Sequence, residues 1–384
     1  MENQTSSESK RKWIFIALQI VIVILAVAVG YFGHRIPIQY QGEFGLVRQA
    51  RDIVLENTIL AIPEEPGLEY GMIRGMLETL NDPHTIFVEP AAHEVQSDQL
   101  TGSYGGVGIR LERDTQMQWR IYPLPNSPAL EAGIQDADLL LQGGGLVITS
   151  ETDDVALLAA IRGPVGEKVN LTIQRKGETL TFTIERQSVP LPSVTWNLLP
   201  EAPDIGLVQV NRIADTTADE IQAGIEDLQA QGAEALILDL RDNGGGLVEA
   251  GVDIARLFLA EGEILHQQFK GETEKVYEVE KSGPYSDLTL VVLVNGNTAS
   301  SAEIIAGALA AHERAVLIGA PTYGKNTIQY VFDLEDGSSV HVTSGEWWIP
   351  GISFPLTPDR TISEDPTGTI ILQTAIEVFQ NANQ

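Results

Sequence analysis

Three segments of this 384-residue chain carry side chains whose types and spacing can do chemistry. The first, Asn295-Gly296-Asn297-Thr298-Ala299-Ser300-Ser301-Ala302-Glu303, joins an apolar strand-like run to a helical one. A serine at such a junction lies beside unpaired backbone N–H groups and the positive end of a helix dipole. Those groups can stabilise an oxyanion formed when the hydroxyl attacks a carbonyl. Ser300 with Glu303 three residues on is also a capping box, and Thr298 is a good cap, so this segment alone reads first as a helix start. The second segment, Thr322-Tyr323-Gly324-Lys325-Asn326-Thr327-Ile328-Gln329, places Lys325, Thr327 and Gln329 on one face if it is extended from the glycine onward. A lysine activates a serine only as the neutral amine, so such a site must lower the ordinary pKa of about 10.4 by desolvation or nearby positive charge. A glutamine on the same face can orient the amine without the negative charge that would hold the proton on. By itself the lysine reads as a solvated surface residue. The third segment, Leu236-Ile237-Leu238-Asp239-Leu240-Arg241-Asp242-Asn243-Gly244-Gly245-Gly246-Leu247, sets a triple glycine between a strand and a helix. Its N–H groups can complete an oxyanion hole, cradle a phosphate or simply form a tight turn. It lacks the Lys-Ser/Thr ending of a Walker loop, which disfavours nucleotide binding.

The elements that must position these segments alternate. Strands are expected over Ile205–Val210, Ala235–Leu240, Leu288–Val294 and Ala315–Ile318, with helices over Thr217–Gln229, Leu247–Leu259 and Ala302–Ala311. That order predicts an α/β domain with a largely buried sheet over 190–384. Residues 96–189 read as a separate, mostly β module. Strands are expected over Val107–Leu111, Trp119–Tyr122, Val169–Arg175 and Leu180–Glu185, and helices over Ser127–Gly133 and Asp153–Ile161. Residues 41–95 read as a helical region, broken by Pro63-Glu64-Glu65-Pro66 and stopped by Asn81-Asp82-Pro83-His84.

Composition narrows the chemistry. Lys plus Arg total 24 and Asp plus Glu total 53, a formal charge of −29 that argues against nucleic-acid binding. The chain has no cysteine, which removes disulfides, thiolate metal sites and cysteine nucleophiles. The six histidines are scattered without an HExxH pattern, so a zinc hydrolase is not expected. Residues 1–12 are polar and end in Lys10-Arg11-Lys12; Trp13 to Phe32 is an apolar run with Gln19 as its only strongly polar member. The run spans about 30 Å as a helix, one hydrocarbon thickness. Residues 13–33 are therefore expected to be a transmembrane anchor with 1–12 as a cytoplasmic tail and the rest on the outer side. A cleaved signal peptide with Ala26-Val27-Ala28 at its cleavage site is the alternative, and the length of the run favours the anchor.

Together the three chemical segments resemble the carboxy-terminal processing serine peptidases. That family has an Asn…Ser-Ala-Ser-Ala-Ser-Glu-Ile stretch, a downstream Thr-Phe-Gly-Lys-Gly…Gln stretch and an upstream Leu-Arg-Asn-Asn-Pro-Gly-Gly loop. The resemblance extends over most of the chain, through Leu80-Asn81-Asp82-Pro83-His84-Thr85, Gly106-Val107-Gly108-Ile109, Ile161-Arg162-Gly163-Pro164-Val165-Gly166 and Glu346-Trp347-Trp348-Ile349-Pro350-Gly351. It implies a crotonase/ClpP-like serine protease core with an inserted PDZ domain. It also implies Ser300 as nucleophile, Lys325 as general base 25 residues later and Gln329 as the residue orienting it. The backbone N–H groups of Gly246 and Ser301 would form the oxyanion hole, and those of Val107, Gly108 and Ile109 would hold a substrate's terminal carboxylate. Arg162 would reach the catalytic domain and couple tail binding to activity. Substrates would be proteins or peptides with free C-termini, with no cofactor or metal; oligomerisation stays open. The chain departs from the family pattern at Asn326, Ala311 and Gly244, which replace glycine, aspartate and proline. None removes a catalytic atom, so an active enzyme is expected. An inactive PDZ scaffold on the same fold and a crotonase-like acyl-CoA enzyme are the alternatives.

Overall fold

The structure is a computed structural model that describes residues 44–362, 365 and 368–382. The expected anchor at 13–33 and tail at 1–12 lie outside the described residues. Among the described residues no helix is long and apolar enough to cross a membrane.

The chain divides into two compact units between Met72 and Ile73. The first holds α1 (Gly45–Asn57), which buries none of its side chains, and the start of α2 (Gly67–Glu78). In the second unit β1 (Ile86–Val88) and α3 (Pro90–Thr101) precede the β-rich module. The helix α3 was not expected; its sequence has no apolar stripe, and Pro90 at its start and Gly102 in the left-handed conformation at its end mark its limits. Residues 96–101 therefore belong to this helix and not to the module.

The module opens on β2 (Ser103–Gly106) and runs through β3 (Ile109–Arg113), β4 (Trp119–Pro123), α4 (Pro128–Glu131), β5 (Asp138–Gly143), β6 (Leu146–Val147), α5 (Asp154–Ile161), β7 (Lys168–Arg175) and β8 (Glu178–Glu185). Strand β9 (Gln187–Pro190) then pairs antiparallel with β2, so chain entry and exit form one two-stranded neck. The module keeps its own apolar core, including Ile121, Leu140, Leu157, Leu171 and Ile173. The first long strand starts two residues later than expected. Gly108 has φ +68°, outside extended backbone, and a Cβ there would stand 2.4 Å from Ser127 Cβ, so only glycine fits.

Beyond the neck come β10 (Val194–Leu199), β11 (Ala202–Val210), α6 (Thr217–Ala230), β12 (Ala235–Asp239), α7 (Val248–Phe258), β13 (Glu263–Phe269), β14 (Lys275–Glu278), β15 (Thr289–Val294), α8 (Ser301–Ala311), β16 (Val316–Gly319), β17 (Thr327–Asp333), β18 (Ser339–Trp348), β19 (Arg360–Thr361) and α9 (Thr369–Ala382). A six-stranded sheet has the order β10-β11-β12-β15-β16-β19, parallel from β11 onward. Both of its faces are buried, which explains the unbroken apolar runs. Leu236, Leu238, Val292 and Val294 face a core shared with α6, α7 and α8, and Ile237, Val291 and Leu293 face α9 through Ile371, Ala375 and Phe379. Each such fully buried aliphatic side chain contributes about 1.5–3 kcal/mol. A second sheet, β1-β18-β13-β14 with β17 on β18, joins the first core through Ile264, Leu265 and Trp347.

Candidate active site

The two loops at the carboxyl ends of β12 and β15 lie side by side, where parallel sheets place their sites. Leu240 N–H donates to Leu293 O at 2.9 Å, and the Thr298 hydroxyl donates to Leu240 O at 2.8 Å. Asp242 locks the pair: Asn295 Nδ2 and Asn297 Nδ2 donate to its carboxylate at 2.9 and 2.8 Å. These bonds hold the Asp242 carboxyl below its ordinary range.

Ser300 stands ahead of α8 with φ 56° and ψ −124°. An ordinary N-cap is extended. A non-glycine residue in this region costs about 1–3 kcal/mol and persists only where its surroundings impose it. A sharp strand-to-helix turn of this kind exposes a serine hydroxyl. Gly245 packs against it, with a Cβ there falling 2.8 Å from Ser300 Cβ and 3.0 Å from Ser301 N. Gly246 lies so close to Ile213 O that a Cβ would stand 1.8 Å away. Neither Gly246 nor Ser301 donates its backbone N–H to an acceptor among the described residues, so both are free to receive a developing oxyanion.

Glu303 does more than cap its helix. It is fully buried, and its carboxylate accepts from Ser300 N–H (2.9 Å), Lys325 N–H (2.9 Å), Gly324 N–H (2.8 Å) and the Thr322 hydroxyl (2.5 Å). One carboxylate thereby joins the serine turn to the lysine segment. The capping spacing was legible in the sequence; this bridge was not, because its partners lie 19 to 22 residues away. Lys325 itself precedes β17 and is not part of the extended segment, which starts at Thr327.

Ser300, Lys325, Gln329 and Gly246 all line one cavity of about 790 Å³, together with His341 and Gln99. Burial pushes the Lys325 amine below its ordinary range, and the Asp82 carboxylate pulls it partly back up. Among the described residues no carboxylate pairs with the Lys325 ammonium. His341 lines the cavity with a buried Nε2 that has no hydrogen-bond partner among the described residues, and it is held below the ordinary imidazole range by burial, His93 and Lys325. Gln329 Nε2 donates to Thr327 Oγ1 and Thr343 Oγ1, at 3.1 and 3.0 Å, and not to the lysine.

A second cavity, of about 220 Å³, lies in the module and is lined by Val107, Gly108, Ile109, Leu157 and Arg162. The N–H groups of Val107 and Gly108 find no acceptor among the described residues. Arg162, expected to reach into 190–384, instead donates to Asp98 of α3 at 3.2 Å and lies over the Tyr104 ring at 4.2 Å. The cause is its position at the end of α5, beside the neck.

A half-buried serine on a strained turn, free N–H groups beside it and a lysine of lowered pKa in the same cavity are the parts an acyl-enzyme hydrolase needs. Comparison with known proteins makes this specific. Residues 204–361 match peptidase family S41. The chain is 37% identical over 288 residues to the carboxyl-terminal-processing protease of Synechocystis sp., covering 73% of this chain and 67% of that protein. It is 33% identical to the carboxy-terminal processing protease CtpA of Bacillus subtilis over 72% of this chain and 59% of that protein. A solved photosystem II D1 C-terminal processing protease aligns over 82% of this chain and 86% of its own, with 29% identity and a TM-score of 0.45. The chain belongs to the carboxyl-terminal-processing proteases of peptidase family S41, which are serine peptidases. Neither an acyl-CoA enzyme nor an inactive scaffold is favoured by these relatives.

Proposed function

We propose that the protein is a Ser-Lys endopeptidase that selects substrates by their free C-termini. The observation that carries the reading is the shared cavity of Ser300 and Lys325, with burial lowering the amine's pKa and, among the described residues, no carboxylate pairing with it. Neutral Lys325 takes the proton of the Ser300 hydroxyl as Oγ bonds to the peptide carbonyl carbon. The N–H groups of Gly246 and Ser301 receive the oxyanion. As the C–N bond breaks, the Lys325 ammonium returns its proton to the leaving amine, and an acyl-enzyme remains. Water then attacks the ester, Lys325 takes its proton, and that proton restores the Ser300 hydroxyl.

The module over 103–190 is read as a PDZ domain. The free N–H groups of Val107 and Gly108 support it, with Ile109 starting the strand beside which a tail would add. Residues 13–33 are read as the anchor that places the enzyme on the outer face of a membrane. Arg162 lines the tail cavity and pairs with α3, whose Gln96, Gln99 and Leu100 line the catalytic cavity; this supports a coupling role through α3.

Ser300→Ala and Lys325→Ala should each abolish cleavage of a protein bearing a free C-terminal tail, by at least about 10³-fold, while tail affinity measured by calorimetry stays unchanged. Cleavage at wild-type rate in either variant would rule out the pair.

A further inference from the structure

Arg212 has no part in the chemistry above, yet it lines the cavity of Ser300 and Lys325. It follows β11, and its neighbour Ile213 is built into the glycine loop. Ile213 N–H donates to Gly245 O at 3.3 Å, Leu247 N–H donates to Ile213 O at 3.1 Å, and Ile213 forms a bridge with Gly246. The backbone of Arg212 is therefore fixed one residue from the partner of a proposed oxyanion donor. Its side chain is held from another direction. Nη2 donates to Leu191 O and Pro192 O, both at 2.6 Å, where the chain leaves the neck.

Those two bonds use both protons of Nη2, and three of the five guanidinium N–H groups are left over. Nε is buried without a partner, and Nη1 has no acceptor among the described residues. Nor does a carboxylate pair with Arg212 among those residues, although the chain carries 53 Asp and Glu against 24 Lys and Arg. Arg162, Arg175 and Arg241 are also partly buried, and each meets an aspartate: Asp98, Asp138 and Asp239. Arg314 is held by carbonyls alone, but there Nε is bonded too, and the residue lies outside the cavity. Besides Lys325, the other charged residues on the cavity wall are Lys275, Glu249 and Glu272. Lys275 is already coupled to a carboxylate, because its amine donates at 2.8 Å to the Tyr277 hydroxyl, which donates to Glu249 at 2.9 Å. Arg212 is left with a sheltered charge and no counter-charge, a costly state that a ligand carboxylate would relieve. A planar guanidinium suits that group.

We propose that Arg212 is a substrate-binding residue whose Nη1 donates to a carboxylate of the substrate near the bond that is cut. This rests on the Ser-Lys reading above, which makes the cavity the place of cleavage. The carboxylate belongs either to an acidic side chain or to the free end of a short leaving segment; both present the same two oxygens.

The test measures kcat/KM of the full chain on pairs of peptides. In one set the members carry the same tail and differ only by Glu against Gln, at one position at a time around the cleaved bond. In a further pair they differ only by a free against an amidated C-terminus a few residues past that bond. The wild type should favour the charged member of one pair by about tenfold or more. Arg212→Gln should bring that ratio close to one, and Lys275→Gln should leave it standing. Collapse of a Glu/Gln ratio assigns the carboxylate to a side chain, and collapse of the acid/amide ratio assigns it to the chain end. An arginine that only ties the neck would, when replaced, slow both members alike and keep every ratio, which would overturn the proposal. So would a ratio that collapses in Lys275→Gln and not in Arg212→Gln. A wild type that cuts all pairs equally would overturn it as well, and that measurement stands even if Arg212→Gln does not fold. The Ser-Lys reading fails separately, through full activity of Lys325→Ala.

Discussion

A serine and a lysine 25 residues apart in sequence line one cavity, and a third residue, Glu303, holds the backbone of both. Its carboxylate accepts four donors, so a neutral amide in its place would face some of them with its own N–H groups. Glu303→Gln should therefore lose about 2–3 kcal/mol of stability, seen as a lower denaturant midpoint at constant m, and most of its activity. Wild-type activity would show that the serine and lysine segments do not need this tie. If Lys325 is the general base, its lowered pKa sets the pH dependence. Because only its neutral form accepts the Ser300 proton, kcat/KM should rise with pH along a limb well below the ordinary lysine value of about 10.4. A limb at that ordinary value would mean a solvated lysine. Asp82 acts on stability with the opposite sense. Its carboxyl is held at about 2, below the ordinary 3.8, so the unfolded chain takes up the proton first. The stabilisation is whole above 3.8 and is lost as pH falls through about 2. Urea midpoints of the wild type and Asp82→Asn should converge over that window, and parallel curves would refute the shift.

At the scale of elements, the candidate site is a pair of loops tied edge to edge, and its glycine loop is closely packed. Gly246 forms a parallel bridge with Ile213, whose carbonyl oxygen occupies the space a side chain would need. Gly246→Ala must push the loop away, and the displaced N–H should cost about 10²–10³ in kcat with KM little changed. An alanine variant of full activity would place the oxyanion elsewhere. These loops were legible in the sequence because apolar runs such as Leu236–Leu238 and Leu290–Val294 announce buried strands, and the residues that follow them have little freedom to be anything but turns. Other elements were not. Helix α3 carries no apolar periodicity, and α9 packs its apolar residues on the far face of the sheet, where local pattern does not say which surface awaits them. The start of the module's first long strand was placed too early because Val107 and Ile109 look extended, and only the left-handed Gly108 between them interrupts the run. The contacts of Glu303 and Thr343 were hidden for a simpler reason: each joins segments that only the finished fold brings together.

Within residues 73–384, α3 borders the cavity of Ser300 and bonds to Arg162, which lines the module cavity. Its Asp98 receives Arg162 from the wall of the module cavity, while Gln96, Gln99 and Leu100 face the cavity of Ser300. Leu100 O also accepts Asp215 N–H at 2.9 Å, which anchors the end of the helix to the segment before α6. Asp98 and Arg162 are both largely sheltered, at 18% and 16% side-chain exposure, so their pairing is less screened than a surface ion pair. A tail entering the module cavity beside Arg162 would change what that guanidinium holds, and α3 would carry the change. Coupling of this kind is established by a free energy and not by proximity. A peptide with a free C-terminus should accelerate hydrolysis of a small ester by the wild type, roughly fivefold or more, and its C-terminally amidated form should not. Asp98→Asn should keep the peptide's affinity and lose the acceleration. If the variant responds as the wild type does, the two cavities communicate by some path other than α3, and Arg162 belongs to tail binding alone.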